Sequence, residues 1–160
     1  MLFAAFDAII PTVISMIYTK LTNKAIKIAY QAHHGQTDKS GIPYIFHPYH
    51  LAEQMDDEYS VCVALLHDTV EDTDITLQQL AEEFPAEIVE AVRLMTHAPE
   101  EPYLSYVARI KTNPLAKKVK LADLRHNTDQ TRMENADVAM LTRYQKKYQR
   151  AIEILEENEK

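Results

Sequence analysis

The chain has one cysteine, no tryptophan and only two glycines in 160 residues. A single cysteine excludes any intrachain disulfide, and Cys62 lies inside the apolar run Val61 to Leu66, where a packed thiol is the expected role rather than a nucleophile. A reducing cytoplasm fits that usage. Two glycines are too few for the turns of an antiparallel sheet, and repeated 3.6-residue apolar patterns point instead to an all-α fold. Positive charge is also scarce: 17 Lys and Arg stand against 24 Asp and Glu, giving a net charge of −7. The one short basic cluster, Lys117, Lys118 and Lys120, is no face for duplex nucleic acid, although a small anion is still compatible with it.

Long apolar runs are missing too, apart from residues 1–18. That stretch is interrupted by Asp7 and Pro11, has no Lys or Arg before it, and falls short of the ~20 residues a membrane span requires. We read it as an apolar N-terminal extension that packs against the domain or forms an oligomer contact, with no membrane insertion. Residues 19–160 then make one domain, of a length that buries a substantial core.

What is present is concentrated in Val61 to Asp74, VCVALLHDTVEDTD, an apolar helical run that ends in His67, Asp68, Glu71 and Asp72. As one continuous helix, it places His67 and Glu71 on one face and Asp68 and Asp72 on the adjoining face. Three acids at a helix C-terminus oppose the macrodipole, and the like-charged pair adds a repulsion of about 0.2–0.5 kcal/mol, so something positive is expected there. A solvated acidic helix end is the plainer reading. Against it, His67 and Asp68 directly follow Val63-Ala64-Leu65-Leu66, and a carboxylate near a core is costly unless paired or metal-bound. On this stretch alone both readings stand, because two neighbours do not complete a coordination set.

Around this stretch the chain reads as a series of helices. One is expected from near Asn23 to His33 or His34, ended by Gly35, with Ala25, Ile26, Ile28, Ala29 and Ala32 inward. The segment GQTDKSGIPY is a loop, and Pro48 suits the first turn of a helix with His47 at its N-cap and Leu51, Ala52 and Met55 inward. Asp56-Asp57-Glu58 reads as a solvated turn. Thr76 and Gln79 spell a capping box for a short helix to Phe84, and Pro85 restarts the chain into a stripe of Ile88, Val89, Val92 and Met95. Tyr103, Tyr106, Val107 and Ile110 mark a further helix that ends before Asn113-Pro114. In residues 115–130, Asp123 and Asn127 are four apart and reach a common point, with Asp123 a candidate buried acid between Ala122 and Leu124. The closing helix, about 138–157, turns Leu141, Tyr144, Tyr148, Ile152 and Leu155 inward.

Taken in order, His47, His67-Asp68 and Asp123 resemble the His…His-Asp…Asp signature of the HD superfamily of metal-dependent phosphohydrolases. More narrowly, Gly35-Gln36, Gly41-Ile42-Pro43-Tyr44-Ile45-Phe46-His47-Pro48, Ala64 to Thr73 and Val119-Lys120-Leu121-Ala122-Asp123 resemble the RelA/SpoT-type hydrolase domain and its small stand-alone relatives, which remove the 3′-pyrophosphate of guanosine tetra- and pentaphosphate. The resemblance covers roughly residues 20–155. It implies an all-α HD-domain helical bundle around a central metal site, with His47, His67, Asp68 and Asp123 holding one divalent metal, Mn²⁺ in most of the family. Glu71 and Asp72 match the pair that handles the attacking water. Asn127 matches a residue of the nucleotide pocket, Lys39 is placed to contact a phosphate, and the implied partner is a small nucleotide. His33, His34, His50, His97 and His126 match no ligand position and are assigned to structure or capping.

One departure concerns the substrate. Where the alarmone hydrolases carry Arg-Lys after the Gly-Gln of the loop, this chain has Asp38 and Lys39, and a carboxylate cannot stack on a base as a guanidinium does. Two alternatives follow: an HD phosphohydrolase for a different nucleotide or phosphorylated metabolite, or a catalytically silent, metal-containing nucleotide-binding module.

Overall fold

In the computed structural model, residues 16–129 and 138–157 are described, and these form nine helices with no strand among the described residues. The N-terminal extension and the side chain of Leu141 lie outside them, except that Met16 is buried and Ile17 packs on the core. The helix at the centre is α3, Glu58–Leu66. Val61 through Leu66 is apolar on every side and fully buried, so it has no polar face to show water and takes the middle of the bundle. Helices α1 (Lys20–Ala32), α2 (Phe46–Glu53), α6 (Ala86–Met95) and α8 (Pro114–Thr128) pack around it. The remaining elements are α4 (Thr69–Asp72), α5 (Leu77–Glu83), α7 (Tyr103–Lys111) and α9 (Val138–Glu156), with α9 laid against α7 and α8.

The expected boundaries need four corrections. First, α1 begins at Lys20 rather than near Asn23, because Thr19 and Thr22 form a reciprocal capping box. Second, α2 begins at Phe46, which moves His47 from the N-cap into the first turn; Pro48 is still tolerated there because first-turn N–H groups have no helical acceptor. Third, Asp57 is the N-cap of α3, accepting from Ser60 N at 2.8 Å, and Lys118 reaches both Asp56 and Asp57, so the turn is tied down rather than merely solvated.

The fourth matters most. The expected single helix over Val61 to Asp74 breaks at His67-Asp68 and resumes as the short α4. His67 Nδ1 lies 2.8 Å from Ala64 O, and Thr69 Oγ1 donates to Leu66 O at 2.7 Å, so side chains engage carbonyls at the helix end and compete with the continuing ladder. Asp72 N still donates to Asp68 O at 2.9 Å, which keeps these two residues on one face. Gly35 and Gly41, both near φ +80°, make the turns of the loop between α1 and α2.

Candidate metal centre

Four elements meet at the end of α3. His47 comes from α2, His67 from the C-cap of α3, Asp68 from the break that follows, and Asp123 from the third turn of α8. The ligand atoms of His47, His67 and Asp123 all lie within 4.8 Å of one another. Asp68 Oδ2 lies 2.8 Å from His67 Nε2 and 3.9 Å from His47 Nε2, and Asp123 Oδ1 lies 3.3 Å from His47 Nε2. The four expected ligands are therefore brought together. His67, Asp123 and His47 are 1%, 4% and 6% exposed.

The donor set fits a divalent cation. His67 Nδ1 donates to Ala64 O, which leaves Nε2 as the ring atom facing the acids, and that nitrogen is buried with no aligned hydrogen-bond partner. A backbone carbonyl fixing one imidazole nitrogen while the other points into a cluster of acids is the usual support for a metal ligand. The electrostatics agree. Burial alone would push the His67 pKa down, yet the Asp68 and Asp123 carboxylates raise it to about 9, so a proton is drawn in where no larger positive charge is supplied. Burial likewise opposes the ionised form of Asp68, and His67 and the Tyr44 hydroxyl overcome it.

Three supporting side chains were given no part in the metal centre by the sequence. Lys120, its side chain 13% exposed, has its Nζ 2.7 Å from Asp123 Oδ2; against the cost of burial, this pairing holds Asp123 ionised and Lys120 protonated. Tyr44 donates its hydroxyl to Asp68 Oδ2. His126, assigned to structure, lies 2.7 Å from His47, Nδ1 to Nδ1, with the rings stacked at 4.9 Å. If His47 presents Nε2 to a cation, its Nδ1 carries the hydrogen and donates to His126. The Lys120 signal was present, since a lysine three residues before a buried acid on a helix is its natural partner. His126 and Tyr44 gave none.

Glu71 and Asp72 follow on α4 at the exposed edge of the cluster. Desolvation, together with Asp68 and Asp72, raises the Glu71 carboxyl, although the His97 backbone N–H that it accepts at 2.8 Å works the other way. Desolvation and Asp68 raise Asp72 as well. Asp72 also lines an open cleft of about 520 Å³ with Gln31, Gln36, Asp74 and Gln79, so water has access to it. Asn127 Nδ2 donates to Asp123 Oδ1. Lys39 reaches across to α9, its Nζ 3.0 Å from Tyr144 Oη. Asp38 turns its carboxylate inward on its own loop, where Oδ1 accepts from Ser40 N at 2.8 Å and Ile42 N at 3.0 Å. The loop is joined to the acids by Gln36, whose Nε2 donates to Asp72 O at 3.0 Å.

A helical bundle that gathers two imidazoles and two carboxylates at the end of its central helix defines a class of metal-dependent hydrolase domain. The chain belongs to the HD domain family, whose match spans residues 25–133. It is 34% identical over 141 residues to the bifunctional (p)ppGpp synthase/hydrolase SpoT of Escherichia coli, an alignment covering 79% of this chain and 20% of SpoT. It is 43% identical over 74 residues to a chloroplastic GTP diphosphokinase of Arabidopsis thaliana, covering 43% of this chain and 8% of that protein. The chain thus spans a fifth or less of these curated relatives. A solved structure of a metazoan SpoT ortholog, described as hydrolysing ppGpp, superposes with a TM-score of 0.73 at 21% identity, covering 89% of each chain, and shares the fold. No helix of the described residues is long and apolar enough to cross a membrane.

Proposed function

We propose that this domain is a phosphohydrolase that uses one divalent metal to remove the 3′-pyrophosphate of guanosine tetra- or pentaphosphate. The observation that carries the reading is the convergence of His47, His67, Asp68 and Asp123 beside two further carboxylates, Glu71 and Asp72, which a purely structural metal site has no use for. The similarity to SpoT and to the metazoan ortholog supports the choice of substrate. His47, His67, Asp68 and Asp123 would hold the cation, which we assign as Mn²⁺. When bound, it polarises a phosphoryl oxygen and makes water easier to deprotonate.

The chain's own groups do the rest. Glu71, with one oxygen fixed by the His97 N–H, takes the proton of the attacking water, and its raised pKa makes it a better base than a free glutamate. Asp72 orients that water from the cleft side. The water oxygen bonds to the phosphorus, the bond from that phosphorus to the 3′ sugar oxygen breaks, and the sugar oxygen takes a proton from solvent. Lys120 keeps Asp123 ionised and His126 holds the His47 ring. Asn127 and Lys39 meet the nucleotide. We place the domain in a reducing cytoplasm, in keeping with its single cysteine.

The test is release of pyrophosphate against phosphate from guanosine tetraphosphate with Mn²⁺, beside a panel of ordinary nucleotides. Pyrophosphate from the alarmone, lost in Asp68→Ala, is the expected result. Turnover of another nucleotide with silence on the alarmone would move the substrate, and nucleotide binding without any release would make the domain a silent module.

A further inference from the structure

Asp38 removes the side chain expected to stack on the base, and its carboxylate is occupied by the amides of Ser40 and Ile42. A nucleotide then needs another surface for its base. Helix α9 supplies one. Tyr144 and Tyr148, four residues apart, stack with ring centroids 5.8 Å apart and planes 12° from parallel. Two ammonium groups flank the pair: Lys39 Nζ lies 4.6 Å from the Tyr144 ring centre, and Lys147 Nζ lies 5.9 Å from that of Tyr148 and 4.0 Å from that of Tyr103. Lys39 donates to Tyr144 Oη, so the loop that carries the Asp38 departure is itself tied to this ring. Tyr148 is half-buried and packs against the core, on the helix that lies along α8, which carries Asp123.

Resting on the function proposed above, we infer that Tyr144 and Tyr148 form the base-stacking platform of this site, with Lys39 and Lys147 meeting the phosphates, so that the domain selects a purine nucleotide by its phosphates and discriminates weakly between bases. Aromatic stacking is tolerant because every base presents a π-face, whereas hydrogen bonds to base edges are what separate guanine from adenine. The structure offers the first without the stacking guanidinium of the family. A purely structural role, clamping the loop to α9, would account for the Lys39–Tyr144 bond alone.

The experiment measures binding to the Glu71→Gln chain of 160 residues loaded with Mn²⁺, using guanosine tetraphosphate, its adenosine counterpart and inorganic pyrophosphate as separate probes. The two nucleotides are expected to bind within about threefold of one another. Tyr144→Ala should weaken both by about tenfold, the lower range for loss of one stacked aromatic, while leaving pyrophosphate unchanged. Tyr144→Phe, which keeps the ring and loses the Lys39 bond, should restore nucleotide affinity. A guanine preference above about thirtyfold, or full nucleotide affinity in Tyr144→Ala, overturns the inference while leaving the hydrolase reading intact. Failure of every probe to bind the metal-loaded parent would instead count against that reading and the inference together.

Discussion

The floor of the candidate metal centre and the loop at its rim are built on opposite principles. The floor is buried, and each member is held by a contact from a different part of the chain: Ala64 O on His67, His126 on His47, Tyr44 on Asp68, Lys120 on Asp123. The rim is exposed, formed by a two-glycine loop whose Lys39 reaches one ring of α9. Charges and polar atoms buried in the floor are tolerable only when partnered, so its identities are tightly constrained. At the rim, Asp38 can stand where the resemblance expects an arginine because solvent and two backbone amides of its own turn absorb the change. On the proposed function, the floor fixes the reaction type and the rim leaves substrate preference free to vary.

Breaking the floor should have the largest consequence. Asp123→Ala or His67→Ala should lose the metal, and with it the shift of water's pKa from ~16 toward ~7, so that pyrophosphate release falls to the detection limit; metal analysis and a release assay read both. Glu71→Gln should retain the metal yet lose about 10²–10⁴ in kcat, as expected for a general base, and unchanged kcat would remove Glu71 from the mechanism. His126→Ala should weaken metal affinity by about 10–100-fold without removing a ligand, measured by calorimetry with Mn²⁺.

Smaller effects sharpen the comparison at the exposed edge and in the scaffold. The raised Glu71 carboxyl should put the acid limb of the kcat profile above the usual glutamate value of about 4.3. The sign for stability is opposite to that of a salt-bridged acid: a carboxyl with a raised folded pKa disfavours folding when ionised, and the cost vanishes as pH falls through that pKa. Glu71→Gln should therefore raise Tm at pH 7 and leave it unchanged in acid. Thr19→Ala, which removes the cap of α1, should cost about 1 kcal/mol in a denaturation experiment with no effect on metal affinity.

The apolar runs beside His67-Asp68 and Asp123 left a metal reading and a solvated one both open, and the set of four came from the family resemblance: His67-Asp68 ends Val61 to Leu66, and Asp123 sits between Ala122 and Leu124. The capping box at Thr76 was plain, being local and of standard residues. The start of α1 was not, because a Thr-x-x-Thr box lacks the usual Glu or Gln. Nor was the break at His67, which depends on side chains engaging the carbonyls of Ala64 and Leu66. His126 acts on a residue 79 positions away, a pairing that only the packing of α2 against α8 creates. Local chemistry was readable; supports that arise across the fold were not.

The most direct test is to titrate Mn²⁺ into the Glu71→Gln protein and then add guanosine tetraphosphate. The account predicts one metal bound per chain with affinity equal to that of the unmodified protein, tight nucleotide binding, and pyrophosphate release lower by about 10²–10⁴. Release at the unmodified rate, or loss of the metal in this variant, would contradict a floor that binds the cation independently of the carboxylate that moves the proton.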